Sequence, residues 1–212
     1  MESEFSKLCE VKHSIAVGSG TDAIFLGLKA LDIGANDEVI TTAFTFYATV
    51  GAIATTGAKP VFCDINDDYN ICIDEIEKKI TNKTKVIVPV HWTGRPCDMD
   101  AIEAVSKKYD IAIVSDACHA IKAQYKNKSV GSIGSTSCYS FHPLKNLNVW
   151  GDGGMITTNS DDIARKLKLI RNHGLVSRDQ CEVFGYNSRL DTIQAVIARH
   201  LLKKIDFITN SR

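Results

Sequence analysis

The sequence predicts an α/β domain built around a largely parallel sheet. Short buried strand-type runs alternate with helix-type segments through the N-terminal half, the pattern of parallel strands joined by crossover helices. The apolar runs are short, strand-length stretches rather than long membrane-length ones. No internal repeat, low-complexity tract or linker interrupts the 212 residues, so one compact domain is expected.

Taken in order, Ser14-Ile15-Ala16-Val17 reads as the first strand and residues 21 to 31 as a helix. Ile24, Leu28 and Leu31 recur there at helical spacing, and Asp22 falls in the first turn. Residues 38 to 41 read as a strand, 46 to 56 as a helix ended by Gly57, 59 to 64 as a strand and 73 to 80 as a helix. A third apolar strand spans 85 to 90, a helix 98 to 109, and a further strand starts at Ile111 and ends at Ser115-Asp116. Beyond Ala120 come β-type pieces at 136 to 141 and 155 to 158, then helices at 161 to 172 and 190 to 207. Sheets of this class place ligands outside the carboxyl ends of their strands. The Gly18-Ser19-Gly20-Thr21 turn and Asp116 both fall there.

Composition narrows the function classes. Hydrophobic residues make up 44% and charged residues 24%, too apolar for a disordered chain. Lysines and arginines balance the acids to a formal net charge of zero, which argues against a nucleic-acid or acidic-membrane surface. No apolar run approaches the roughly 20 residues of a membrane helix, and Met1-Glu2-Ser3-Glu4 is not a secretion signal. The seven cysteines are odd in number and contain no CxxC pair, so neither a zinc site nor a disulfide framework is indicated. Reduced thiols in a cytoplasmic enzyme are the expectation.

Three segments could carry chemistry. The Gly18-Ser19-Gly20-Thr21 turn could present helix N–H groups to an anion, or simply connect a strand to a helix; it is neither a Walker A loop nor a GxGxxG fingerprint. Asp116, in Ser115-Asp116-Ala117-Cys118-His119-Ala120, could hold a protonated ring nitrogen or cap a following helix, and the residues alone leave both open. His119 taken alone reads as a structural histidine. Lys145 lies among mostly apolar and aromatic neighbours in Ser140-Phe141-His142-Pro143-Leu144-Lys145-Asn146-Leu147. It is either a surface-loop lysine or an amine whose desolvation suits it to a Schiff base.

The order of these segments resembles that of the aspartate-aminotransferase-type, fold type I, pyridoxal-phosphate enzymes. More closely, the chain resembles the DegT-type family of sugar aminotransferases. The resemblance rests on the three segments above and on Asp22-Ala23, Phe44-Thr45-Phe46-Tyr47-Ala48-Thr49, Gly151-Asp152-Gly153-Gly154, Arg171-Asn172-His173-Gly174 and Gly185-Tyr186-Asn187-Ser188-Arg189-Leu190, in family order over most of the chain. It implies a three-layer large domain with a mostly parallel mixed sheet and pyridoxal 5'-phosphate as cofactor. Lys145 then matches the Schiff-base lysine, and Asp116 the partner of the pyridine nitrogen. His119 matches a neighbour of the ring oxygen, and Phe46 the aromatic stacked on the ring. Gly20, Thr21 and Ser140 match the phosphate cradle, and Asn187 a residue reaching the phosphate of a partner subunit's cofactor.

The implied activity is transfer of an amino group from an amino acid, glutamate in the family pattern, to a nucleotide-linked keto-sugar in amino-sugar or surface-polysaccharide biosynthesis, by a homodimer. No metal, nucleic acid or membrane is implied. Two alternatives stand beside it: a non-catalytic or truncated cofactor-binding relative, and a deoxysugar dehydratase, whose family members tend to carry histidine where this chain has Lys145. Family members run beyond both ends of this sequence, so residues 1 to 212 are expected to form the cofactor-binding large domain without the smaller C-terminal one.

Overall fold

The computed structural model, which describes all of residues 1–212, turns the predicted alternation into a seven-stranded sheet covered on both faces. In chain order the elements begin with α1 (Glu2–Cys9), β1 (His13–Val17), α2 (Gly20–Ala30), β2 (Glu38–Thr42), α3 (Tyr47–Thr55) and β3 (Lys59–Cys63). They continue with α4 (Ile73–Lys79), β4 (Thr84–Ile87), α5 (Met99–Tyr109), β5 (Ala112–Asp116), β6 (Gln124–Tyr125) and β7 (Lys128–Ser129). The last are β8 (Thr136–Ser140), β9 (Gly154–Thr158), α6 (Asp161–Ile170), β10 (Leu175–Ser177), β11 (Gln180–Cys181), α7 (Thr192–Leu202) and α8 (Ile205–Asn210).

The main sheet runs β1-β9-β8-β5-β4-β2-β3. Pairing from β3 through β8 is parallel, and β9 alone runs against its neighbours, antiparallel to both β8 and β1. The sheet is therefore mixed and mostly parallel, as expected. Side chains alternate across each strand, and both faces are apolar. Val17, Val39, Val86, Val114, Cys138 and Ile156 face α2, α3 and α6. On the opposite face Ile40, Ile87 and Ile113 meet α4 and α5, while Ala16, Tyr139 and Met155 meet α1, α7 and α8. Helix, sheet and helix give three layers. No helix is long and apolar enough to cross a membrane.

Four differences from the sequence reading have physical causes. The strand expected over 85 to 90 stops its regular ladder at Ile87 but continues extended: the Val88 N–H reaches the Ile40 carbonyl at 2.7 Å, and Val90 bridges Asp116. The helix expected over 190 to 207 is two helices, because Lys204 leaves helical geometry at φ −111° and ψ 8° and its N–H closes a tighter turn on Leu201. Ile205 then anchors the second piece in the core, and Asp206 pairs with Lys122. Helix α1 was not foreseen. Only Phe5 and Cys9 of it are fully buried, one apolar repeat and too little for a periodicity signal; Phe5 nonetheless sits edge-on to Tyr139 and Phe141, with ring centroids 5.1 and 5.6 Å away. The hairpins β6–β7 and β10–β11 have two or three residues per strand, too few for alternation to show.

Candidate active site

The site lies at the carboxyl ends of the parallel strands. Between β1 and α2 the chain turns through Gly18-Ser19, and Ser19 caps the helix: its Oγ accepts the Asp22 N–H at 3.0 Å. The Ala23 N–H is taken by the Ser19 carbonyl at 3.0 Å, while the N–H groups of Gly20 and Thr21 meet no acceptor on the chain. These two free donors, at the positive end of the helix dipole, form an anion cradle. Gly20 is required by contact, since a Cβ there would lie 2.6 Å from the Ser140 Cβ at the end of β8. The turn is also braced from the C-terminal part of the chain. The buried Ser188 hydroxyl accepts the Gly18 N–H at 2.9 Å and donates to Asp22 at 2.7 Å.

Asp116 ends β5 and is 7% exposed. Its Oδ2 accepts the Thr49 hydroxyl at 2.7 Å and its Oδ1 the Cys118 N–H at 3.1 Å. Thr49 comes from α3, and Thr45 lies 2.8 Å from it, completing a hydroxyl chain that ends on the carboxylate. No helix starts after Asp116, so the capping role left open by the sequence is not the one it plays. Behind it the His91 N–H donates to the Asp116 carbonyl at 3.1 Å. The His91 ring is buried, and its Nδ1 accepts the Cys97 N–H at 3.2 Å, which leaves the proton on Nε2. Burial lowers its pKa to about 4, partly opposed by the Asp116 charge.

Lys145 follows β8 in a turn closed by its own N–H on the His142 carbonyl at 2.8 Å. It is half-buried at the cavity wall. His119 stands nearby with its ring 5.8 Å from that of Trp92. Its pKa is held below the ordinary value, first by desolvation and next by the Lys145 ammonium, with Asp116 opposing. Phe46, the residue before α3, turns an exposed ring into the same space.

One cavity of about 810 Å³ is lined by Gly20, Thr21, Phe46, Asp116, His119, Ser140 and Lys145, within the usual size for a cofactor or substrate cleft. The residues predicted to serve this chain's own cofactor site thus converge. Asn187 is exposed, bridges Asn172, and does not line this cavity. Sequence reasoning assigned no role to Thr49, His91 or Trp92. Thr49 stood inside a quoted motif, but its hydrogen bond to Asp116 joins positions 67 residues apart, which no local pattern reveals.

A mostly parallel mixed sheet with two free N–H groups at a helix start, a buried carboxylate and a lysine at one edge defines an α/β domain of the fold type I class. The chain belongs to the DegT/DnrJ/EryC1/StrS aminotransferase family, whose pattern matches residues 1–212. It is 46% identical over 213 residues to a pleiotropic regulatory protein of Geobacillus stearothermophilus, covering 100% of this chain and 57% of that one. It is 47% identical over 200 residues to the UDP-N-acetyl-3-dehydro-alpha-D-glucosamine 3-aminotransferase of Acidithiobacillus ferrooxidans, covering 94% and 54%. Its structure is similar to that of DesV from S. venezuelae in complex with a ketimine intermediate, with a TM-score of 0.95, 39% identity, and 97% and 56% of the two chains covered. Similar solved structures include forms with pyridoxal phosphate and with its amine form, pyridoxamine phosphate. The chain spans little more than half the length of these relatives.

Burial of His91 makes stability depend on pH in one direction. Above about pH 6.5 the ring is neutral in both folded and unfolded chains. As the pH falls below that, the unfolded chain takes the proton, while the folded one resists until about pH 4, so stability is lost across that window. Between pH 7 and pH 5 this one group should cost about 2 kcal/mol. Urea unfolding at the two pH values should show that loss in the wild type and a correspondingly smaller one in His91→Gln; equal losses would contradict the assignment.

Proposed function

We propose that the protein is an aminotransferase that uses pyridoxal 5'-phosphate to move an amino group from an amino acid, glutamate by family pattern, to a nucleotide-linked keto-sugar. The observation that carries this reading is the meeting of Lys145, Asp116 and the Gly20–Thr21 cradle in one cavity. The residues present fit the cofactor. The two free N–H groups and Ser140 suit a phosphate, the Phe46 ring suits an aromatic face, and Asp116 keeps acceptor capacity toward the cavity after its two hydrogen bonds. When bound, the cofactor supplies an electron sink that stabilises a carbanion on the substrate.

The chain's own groups do the rest. Helix α2 and Ser140 would hold the phosphate end. Asp116, held in place by Thr49 and the Cys118 N–H, would keep a ring nitrogen protonated through a charge-assisted hydrogen bond. Lys145 Nζ would be the point of covalent attachment and, when free, the group placed to take up and return a proton beside the substrate nitrogen. His119, neutral near Lys145, can hydrogen-bond a ring oxygen. Seven free thiols in the fold suit a reducing cytoplasm.

A second reading has one observation in its favour: a relative at 46% identity is named as a regulatory protein, which suits a non-catalytic cofactor-binding chain. The two separate cleanly. With cofactor the protein should turn yellow, and borohydride should trap the adduct on Lys145 alone, with Lys145→Ala losing it. Mapping of the label to Lys122, Lys126 or any other lysine would sink the assignment. Added glutamate should then convert the bound cofactor to its amine form; a trapped adduct with no such conversion favours the regulatory reading. A dehydratase would release no amino-sugar from the keto-sugar.

Replacing Asp116 by Asn should leave cofactor bound but slow proton abstraction by on the order of 100- to 1,000-fold, the usual cost of losing one preorganised electrostatic contact at a reacting centre, about 2.7–4 kcal/mol. Stopped-flow absorbance with the amino donor measures this, and near-normal rates would refute the role.

The reading extends to a homodimer with composite sites. It is supported by the exposed apolar residues Phe184, Ile193 and Val196 and by the position of Asn187 outside its own cleft. Light scattering should give the mass of two chains, and Asn187→Ala should weaken cofactor retention. A monomer that binds cofactor tightly would overturn the shared site.

A further inference from the structure

Beyond the cofactor residues, Trp92 in the cleft wall begins a row of aromatic rings that leads away from the cavity. His119 lies 5.8 Å from Trp92, Trp92 lies 4.7 Å from Phe44, and Phe44 stacks on Tyr69 at 5.6 Å and 26°. Phe44 is 42% and Tyr69 55% exposed. Scattered exposed apolar residues are ordinary, but a contiguous row leading out of a cavity marks a ligand surface.

The turn that presents this row is strained. Thr93 has φ 50° and ψ 19°, left-handed geometry that a β-branched side chain rarely adopts. Gly94 follows at φ 91°, and a Cβ there would lie 2.8 Å from the His119 carbonyl oxygen, so this turn is pressed against the turn that follows Asp116. Tyr69 is also left-handed, at φ 65°. One buried amide holds these pieces together. Asn70, 2% exposed, accepts the Trp92 N–H at 3.2 Å and donates to the carbonyls of Arg95 and Pro96 at 3.3 and 3.2 Å. Folding gains nothing from keeping Thr93 left-handed and two rings in water. Strain fixed this firmly beside a cleft is characteristic of a binding element.

We propose that Trp92, Phe44 and Tyr69 form the wall that takes the sugar-nucleotide acceptor, with Asn70 as the positioning residue that sets it. This rests on the aminotransferase reading. The order of the rings matches the order of such a ligand. The sugar must lie next to His119 and Lys145, where the chemistry occurs, so Trp92 meets the C–H face of the sugar. The planar pyrimidine lies farther out, within reach of the Phe44–Tyr69 stack. Aromatic faces select both groups by shape and polarisability without a charge of their own.

Calorimetric titration of the cofactor-loaded protein with UDP-N-acetylglucosamine tests the wall. Trp92→Ala and Tyr69→Asn should each weaken binding roughly tenfold or more, and Trp92→Phe should keep most of it. Asparagine tolerates the left-handed backbone of position 69, so that variant tests the ring without breaking the turn. Asn70→Ala should weaken sugar-nucleotide binding while the absorbance of the Lys145 adduct stays unchanged; general damage would move both. Wild-type affinity in both Trp92→Ala and Tyr69→Asn, or no binding by the wild type, overturns the wall. Failure of glutamate to convert the cofactor strikes the aminotransferase reading instead and leaves this binding comparison intact.

Discussion

A buried carboxylate at the end of the central strand is the constraint around which the site is arranged. Asp116 is almost out of water, and an ionised carboxylate so placed is costly unless it is hydrogen-bonded. The fold meets that cost from two directions: α3 delivers the Thr49 hydroxyl, and the segment after β5 turns back to deliver the Cys118 N–H. Both donors engage the carboxylate without neutralising it. The charge is thereby fixed in position and available to whatever cationic group enters the cavity.

Topology explains why the other groups arrive at the same place. Strands β1, β5 and β8 point the same way, since β9 runs antiparallel to both β1 and β8. Their carboxyl ends therefore share one edge of the sheet. The residues just past those ends are Gly20, the Asp116 segment and the Ser140-to-Lys145 turn. Positions 125 residues apart in sequence, Gly20 and Lys145, become cavity neighbours because three parallel strands end together. Ser188 adds a brace from the far end of the chain by holding Gly18 and Asp22.

The alternation of strands and helices was legible because most of the sheet is buried on both faces, so β1, β2, β4 and β5 announce themselves as runs, while edge strand β3 is largely unburied. Glycines, Asp116 and Lys145 stood out by type at strand ends or among apolar neighbours, but the residues alone left other readings open and the family resemblance gave them their roles. Thr49, His91 and Asn70 did not stand out, since each acts through a partner distant in the chain and none is unusual where it stands. Helix α1 escaped for a different reason. Its stability comes from Phe5 against Tyr139 and Phe141, more than 130 residues later, rather than from any pattern of its own. The break at Lys204 likewise follows from docking of Ile205 in the core, in a segment whose apolar spacing reads as continuous.

The two histidines near Asp116 show how burial sets the polarity of the site. A protonated His91 directly behind the carboxylate would compete with a ligand's ring nitrogen for its charge. Burial holds that ring neutral down to about pH 4, and the Cys97 N–H occupies its Nδ1, so it supports Asp116 without neutralising it. On the cavity side, His119 is also biased toward the neutral form, by desolvation and by Lys145. A neutral imidazole can donate one hydrogen bond without adding a second positive charge beside the lysine. The negative field of Asp116 is thus left undiluted where a protonated ring nitrogen would sit.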